Sequence, residues 1–328
     1  MNTSENERKY EKTLQYRLGL YCNGIKKLHH KKEWKAMMQK YDNLGQVFRD
    51  LRTNRHISLK QISNDVVSAS QISRFERGES DLSVGKFFTA LDNMNIEVSE
   101  FIDTVNNYQR TEQIRFISAL IPLEYERDVA GFLRMREEEE RKFQKHPEIY
   151  RYHLNTILLQ SFICKCDPSV PFPKEYIDQI TDYLFTTQDW NIYEIILIGN
   201  LYLFIDIPLL HRMGQEILKR QNYYCEIGSH RNLVTITLLN IWETCLHRDH
   251  LEIAAFYMEK IESLLDDETD LYKRTIYLFL SGLQHYKEGS VQTGTDEMKR
   301  AIQIFEWTGS GNLANNYKKD YARFVTTT

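Results

Sequence analysis

No run of apolar residues in this chain approaches the roughly 18 to 20 that a membrane-spanning helix needs, and its start lacks the pattern of a secretory leader. The expectation is a soluble, cytoplasmic protein with no membrane partner. Alternating, strand-like runs are scarce and no low-complexity linker interrupts the chain, which excludes a sheet and leaves an all-α fold. Proline is confined to six positions, all read as helix boundaries, among them Pro147, Pro208 and the cluster Pro168, Pro171 and Pro173. Of the five cysteines, Cys164 and Cys166 form a C-x-C with no matching second pair, and His247 and His250 have no nearby thiol. Buried free thiols and surface histidines are expected rather than a metal site. Catalytic signatures are missing as well: no HExxH, no nucleophile elbow and no recognisable carboxylate pair. The glycines at 309 and 311 follow no strand, and the glutamate run from Glu137 to Glu140 reads as a wet helix face. Neither an enzyme nor a cofactor is expected. A polycation is excluded too, because the net charge is −4, so any nucleic-acid surface must be a local patch.

What is present is helical periodicity, with apolar residues at i, i+3, i+4 and i+7 recurring from Leu44 to Phe324. With 328 residues and 42% hydrophobic content, the chain can bury a small core and a larger one. Texture changes after Phe101 and Ile102, where short helices with tight turns give way to longer ones that pack in pairs. Three segments follow: a basic extension over 1–42, a helix-turn-helix domain over 43–104, and a helical-repeat domain over 105–328.

The stretch ISLKQISNDVV carries a helix start in full: Ser58 as N-cap, Gln61 closing a capping box, Ile57 and Ile62 as a hydrophobic staple. The grammar repeats at once in SASQISRFERGES, residues 68–80, with Ser68 as cap, Gln71 as its partner, and Val67 and Ile72 as staple. Gly78 is free to take the left-handed conformation that ends the second helix. Two capped helices so close together make a helix-turn-helix. With Ile72 and Phe75 turned inward, Ser70, Gln71, Ser73 and Arg74 form an outer face suited to a DNA major groove. Gln71 is partly occupied by its cap, so Ser70 and Arg74 rank above it for base contact. Arg49, Arg52, Arg55, Lys60 and Arg77 are placed to neutralise phosphates. Val84, Phe87, Phe88, Leu91 and Met94 supply the helix that closes the small core, and EVSEFI follows as a turn.

From LGQVFRDLR through SLKQIS, SASQISRFERGES and LSVGKFFTAL to VSEFI, the chain resembles the Cro/repressor-type domain of the Rgg/GadR/MutR family of Gram-positive transcriptional regulators. The likeness continues in YRYHLNTILLQSFICKCD, DWNIYEIILIGNLYLF and LLNIWETCLHRDHLEIAAFYMEKI, and covers nearly everything from about Met38 onward.

In the larger domain, TIYLFLSGLQHYKEGSVQTGTDEMKRAIQIF reads as one tetratricopeptide-like pair, with Gly282, Tyr286, Gly289, Gly294 and Ala301 at its small, aromatic and turn positions. Gly294 replaces a commoner alanine and should weaken its helix slightly. Such pairs stack into a right-handed superhelix whose concave face can hold an extended peptide. Candidate clamps are Arg151, Asn155, Asn200 and Asn240, with Tyr152, Trp190 and Trp242 as walls. Each asparagine taken alone could equally be satisfied by neighbouring helices. The resemblance implies a homodimer that binds double-stranded promoter DNA and responds to a short hydrophobic signalling peptide held on the concave face. It further implies dimerisation largely through the C-terminal domain, whose last helix, NLANNYKKDYARFV, would cap the superhelix or pair with its mate. A regulator controlled by a protein partner or by cysteine oxidation remains the alternative. The lysine-rich segment before Met38, with Lys26, Lys27, Lys31, Lys32, Lys35 and Lys40, admits three readings: a start-site artefact, a basic arm, or a loose packed helix.

Overall fold

The computed structural model describes residues 44–106, 108, 112–220, 228–265 and 267–325, all of whose regular elements are helices. The basic segment 1–42 lies outside the described residues. The chain divides into two compact units between Pro122 and Leu123. That division is later than the 104/105 boundary read from texture, and it falls inside a helix, Glu112–Glu126. Pro122 is therefore within a helix rather than at its edge, unlike the expectation for all six prolines.

The N-terminal unit contains α1 (Leu44–Asn54), α2 (Leu59–Ile62), α3 (Ala69–Glu76), α4 (Val84–Asp92) and α5 (Val98–Val105), followed by the start of α6 (Glu112–Glu126). Both expected capping boxes form: the backbone N–H of Ser58 donates to Gln61 Oε1 at 2.8 Å, and that of Ser68 to Gln71 Oε1 at 3.1 Å. The staple residues Ile62, Val67 and Ile72 are fully buried, with Ile57 packed beside them. Between the boxes the side chain of Asn64 accepts from the backbone N–H groups of Val66 and Val67, closing the turn that aims α3. Gly78 ends α3 at φ +70. The core is Phe48, Ile62, Val67, Ile72, Phe75, Leu91, Met94, Ile96 and Phe101. Phe87 packs edge-on against Phe101 at 4.9 Å. Val84 and Phe88, expected in this core, are exposed, and EVSEFI opens the helix α5 instead of a turn. At Gly45 a Cβ would collide with the backbone of Phe75, so only glycine lets α1 lie this close to the end of α3.

The C-terminal unit continues through α7 (Val129–Lys145), α8 (Arg151–Cys166), α9 (Lys174–Thr186), α10 (Ile192–Leu201, extended by one 3-10 turn to Phe204), α11 (Ile207–Lys219), α12 (Gly228–His247), α13 (Leu251–Glu262), α14 (Leu271–Lys287), α15 (Val291–Trp307) and α16 (Gly311–Val325). Helices α8, α10, α12 and α14 pack side by side in that order, while α7 backs onto α8, α13 onto α12, and α15 onto α14. An inner row flanked on both sides must be apolar nearly all round, and every residue of α8 from Leu154 to Cys164 is buried. The tightest pair is α14 with α15. A Cβ on Gly282 would meet the Gly294 carbonyl oxygen at 2.7 Å, and one on Gly294 would strike Gly282 and Tyr286 in return. Gly294 is thus a requirement of the crossing and not a mild weakness of its helix.

Candidate functional sites

On α3, Ser70 and Arg74 are exposed, Gln71 and Ser73 half-buried. The Ser70 hydroxyl lies 3.1 Å from that of the capping Ser68. Arg74 makes no side-chain hydrogen bond among the described residues. It lines a shallow recess with Gln71, Ser80, Asp81, Leu82, Ser83 and Lys86. Lys86, on the first turn of α4, was not singled out from the sequence; its signal is a lone cation opening the next helix beside the reading face. Gln71 spends its amide oxygen on the cap. Ser73 accepts from Arg77, whose guanidinium also donates to both carboxylate oxygens of Glu79 at 2.6 and 2.8 Å. Hydrogen bonding to Arg77 holds the Glu79 carboxyl below its usual range. Arg49 and Lys60 are exposed, and Arg55 sits 3.8 Å from Glu100 in an exposed pair.

Arg52 departs from its expected place among the phosphate contacts. Its Nε and Nη2 donate to the two carboxylate oxygens of Glu76 at 2.6 and 2.8 Å, and its Nη1 donates to the Ile57 carbonyl at 2.7 Å. The side chains are only 11% and 5% exposed. Arg52 therefore ties α1 to α3 and to the turn between α1 and α2. The sequence holds a signal for this: Arg52 follows the buried Phe48 by one helical turn, so it stands on the core-facing stripe.

The residues expected to hold a peptide fall on the inner row of the C-terminal unit, except Trp190, which lies in the connection between α9 and α10. Arg151 is exposed at the start of α8, and Tyr152 is half-buried, with the Lys142 ammonium 5.8 Å from its ring. Asn155 is buried with both amide atoms engaged: its Nδ2 donates to Glu139 Oε2 at 2.7 Å, and its Oδ1 accepts from the Tyr193 hydroxyl at 2.8 Å. Glu139 is buried by this arrangement, which corrects the reading of the whole Glu137–Glu140 run as solvated. Asn200 donates to the Ile196 carbonyl at 2.8 Å and accepts from Lys165 at 3.3 Å. Asn240 donates to the Gly199 carbonyl at 3.2 Å, joining α12 to α10. Neither tryptophan walls a groove. Trp190 is buried and donates to the Leu184 carbonyl, while Trp242 is fully buried and donates to Gln284 Oε1, both at 2.8 Å. An indole in a close-packed interior satisfies its N–H inward, and these two do.

Burial pushes the thiols of Cys164 and Cys166 up and that of Cys245 to about 12. A thiol held protonated is a poor nucleophile toward oxidants, which weighs against control by these three cysteines. Among the described residues no group of three or more His, Cys, Asp or Glu side chains is placed to hold a metal ion, and no helix is long and apolar enough to cross a membrane.

A capped helix-turn-helix head followed by a row of helical pairs defines a two-part transcriptional regulator. The family model for the C-terminal domain of the HTH-type transcriptional regulator Rgg matches residues 134–319. The SHP pheromone receptor Rgg2 of Streptococcus dysgalactiae is 30% identical, with a TM-score of 0.70, covering 85% of this chain and 99% of that one. The PrgX/cCF10 complex shares the fold at 12% identity and a TM-score of 0.63, covering 86% of this chain and 92% of its own. ComR from S. thermophilus, in complex with DNA and its signalling peptide ComS, shares it at 13% identity and 0.54, covering 85% and 99%. This chain belongs to the Rgg family of helix-turn-helix transcriptional regulators, which are not enzymes.

Proposed function

We propose that this regulator reads promoter DNA with the outer face of α3 and takes a short hydrophobic peptide along α8, α10, α12 and α14, acting as a homodimer whose two heads address half-sites about one turn of DNA apart. The observation that carries the reading is the division of labour on α3. Ile72 and Phe75 anchor it, Arg52 locks its end through Glu76, and Ser70 and Arg74 remain exposed on the side away from the core. Peptide control is supported by the likeness to the pheromone receptor Rgg2 over most of both chains. A peptide that favours one arrangement of the dimer shifts the population toward it, and so changes how the heads meet their half-sites.

The test is fluorescence anisotropy of the whole protein on promoter fragments, over a range of salt concentrations, with and without Leu-, Ile- and Val-rich peptides. Arg74→Ala should lose about 1 to 3 kcal/mol of discrimination between matched and mismatched sites. Lys60→Ala should instead weaken binding evenly and lower the salt slope by about one. Equal losses of discrimination from both variants would overturn this assignment.

A further inference from the structure

Gln71 lines the recess beside α3 together with Arg74, and the two ends of its side-chain amide are used differently. The amide oxygen accepts from the backbone N–H of Ser68 at 3.1 Å and from the Ser68 hydroxyl at 3.3 Å. A backbone N–H can only donate, so the atom that meets it is the oxygen, and the amide is fixed in one sense. Both lone pairs of that oxygen are filled. The amide nitrogen makes no hydrogen bond among the described residues. Arg74, three residues on and on the same face of the helix, has donors alone and is likewise unpaired. Ser73, between them, is half-buried and accepts from Arg77 at 2.5 Å. Asp81, the one carboxylate lining the recess, belongs to the loop between α3 and α4 and not to the outward face of α3.

Reading adenine with two hydrogen bonds requires a glutamine to accept from N6 while it donates to N7. Here the accepting half is consumed in starting α3, where it satisfies a backbone N–H that the helix itself cannot pair. What is left is a pair of N–H donors, which a keto oxygen receives and an exocyclic amino group repels. We infer that Gln71 is a specificity-determining residue of the reading face, selecting a keto oxygen, guanine O6 or thymine O4, and rejecting the amino group of adenine or cytosine. This inference rests on the DNA reading above. Every base pair shows the major groove one keto and one amino base, so the selection fixes which way round that pair lies.

The test is selection of bound sequences by the whole protein, from duplexes randomised over about 30 base pairs, which leaves room for two half-sites one turn apart. Gln71→Ala should flatten the preference at one base pair of each half-site by roughly tenfold and leave the pair read by Arg74 in place. That flattened position is the pair Gln71 reads. Gln71→Glu then separates the alternatives. Glutamate closes a capping box as well as glutamine does, but it replaces the N–H donors by a second carboxylate oxygen. Its added charge should weaken binding to every sequence, and at the Gln71 position an amino base should appear where the parent takes a keto base. Had Gln71 been reading adenine through its oxygen, glutamate would be an equally good acceptor and the parent's base pair would be kept. Retention of that pair, loss of preference without reversal, or no change at any pair in Gln71→Ala overturns the inference and leaves the DNA reading standing. A parent protein that selects no sequence overturns both.

Discussion

Replacing Arg52 by alanine separates a structural arginine from a DNA-contacting one. Three hydrogen bonds would go, two to Glu76 and one to the Ile57 carbonyl, and Glu76 would remain 5% exposed with no counter-charge. Breaking such a pair from one side costs about 3 to 5 kcal/mol. A domain the size of this head holds only a few kcal/mol in total, by the usual value of roughly 0.05 to 0.15 kcal/mol per residue. Arg52→Ala should therefore open the head rather than trim its affinity. Because the chain has two units, hydrogen exchange resolved by segment is the right assay: protection should collapse across α1 to α3 while α12 to α15 stay protected. Replacing both partners by apolar residues, Arg52→Met with Glu76→Leu, should restore protection and DNA binding together. The contrary expectation, that Arg52 faces a phosphate, predicts a fully protected head and a salt slope lower by about one. Observing that pattern would refute the structural role.

Two further perturbations probe the C-terminal unit. Gly294→Ala should gain about 1 kcal/mol of helix propensity and lose more, about 1 to 3 kcal/mol net, because the new methyl strikes the backbone of α14; an unchanged or raised Tm would contradict the close crossing. Glu243→Gln tests a half-buried acid on α12. Its carboxyl is raised from 4.5 to about 7, so the folded state binds the proton more tightly than the unfolded chain. Stability contributed by that proton is present below about 4.5 and lost as pH climbs through about 7. The variant should match the parent near pH 4.5 and exceed it at pH 8, by at most about 3 kcal/mol and closer to 1 to 2 given the partial exposure. His247, lowered to about 4 by burial and by Arg323 and Lys287, pulls the opposite way but is common to both proteins. The charge of Asp320 also acts on Glu243, and Asp320 in turn feels Arg323, so the difference belongs to the group as a whole. Superimposable stability profiles from pH 4.5 to 8 would remove the basis for a desolvated Glu243.

The head was legible in the sequence wherever its cause is local. A cap and its partner stand three residues apart and a staple five, so Ser58 with Gln61, Ser68 with Gln71, and Val67 with Ile72 could be read directly and all formed. The Arg52 pair spans 24 residues, and only the position of Arg52 one turn beyond Phe48 hinted at it. In the C-terminal unit the difficulty is of another kind. Helices α8 and α12 are apolar on nearly every side, so periodicity names no outer face, and a polar residue within them has two physically distinct fates. It can be consumed by a neighbouring helix, as Asn155 is by Glu139 and Tyr193 and as Asn240 is by Gly199, or it can be left without a partner. Asn240 and Glu243 lie within one turn of α12 and look alike in the sequence. What separates them is the neighbour each meets: a carbonyl on α10 accepts from Asn240, whereas Glu243 has no hydrogen-bond partner among the described residues and burial pushes its carboxyl up to about 7. An acid left without a partner costs stability that periodicity cannot reveal, because it depends on what the neighbouring helix presents and not on the spacing within α12.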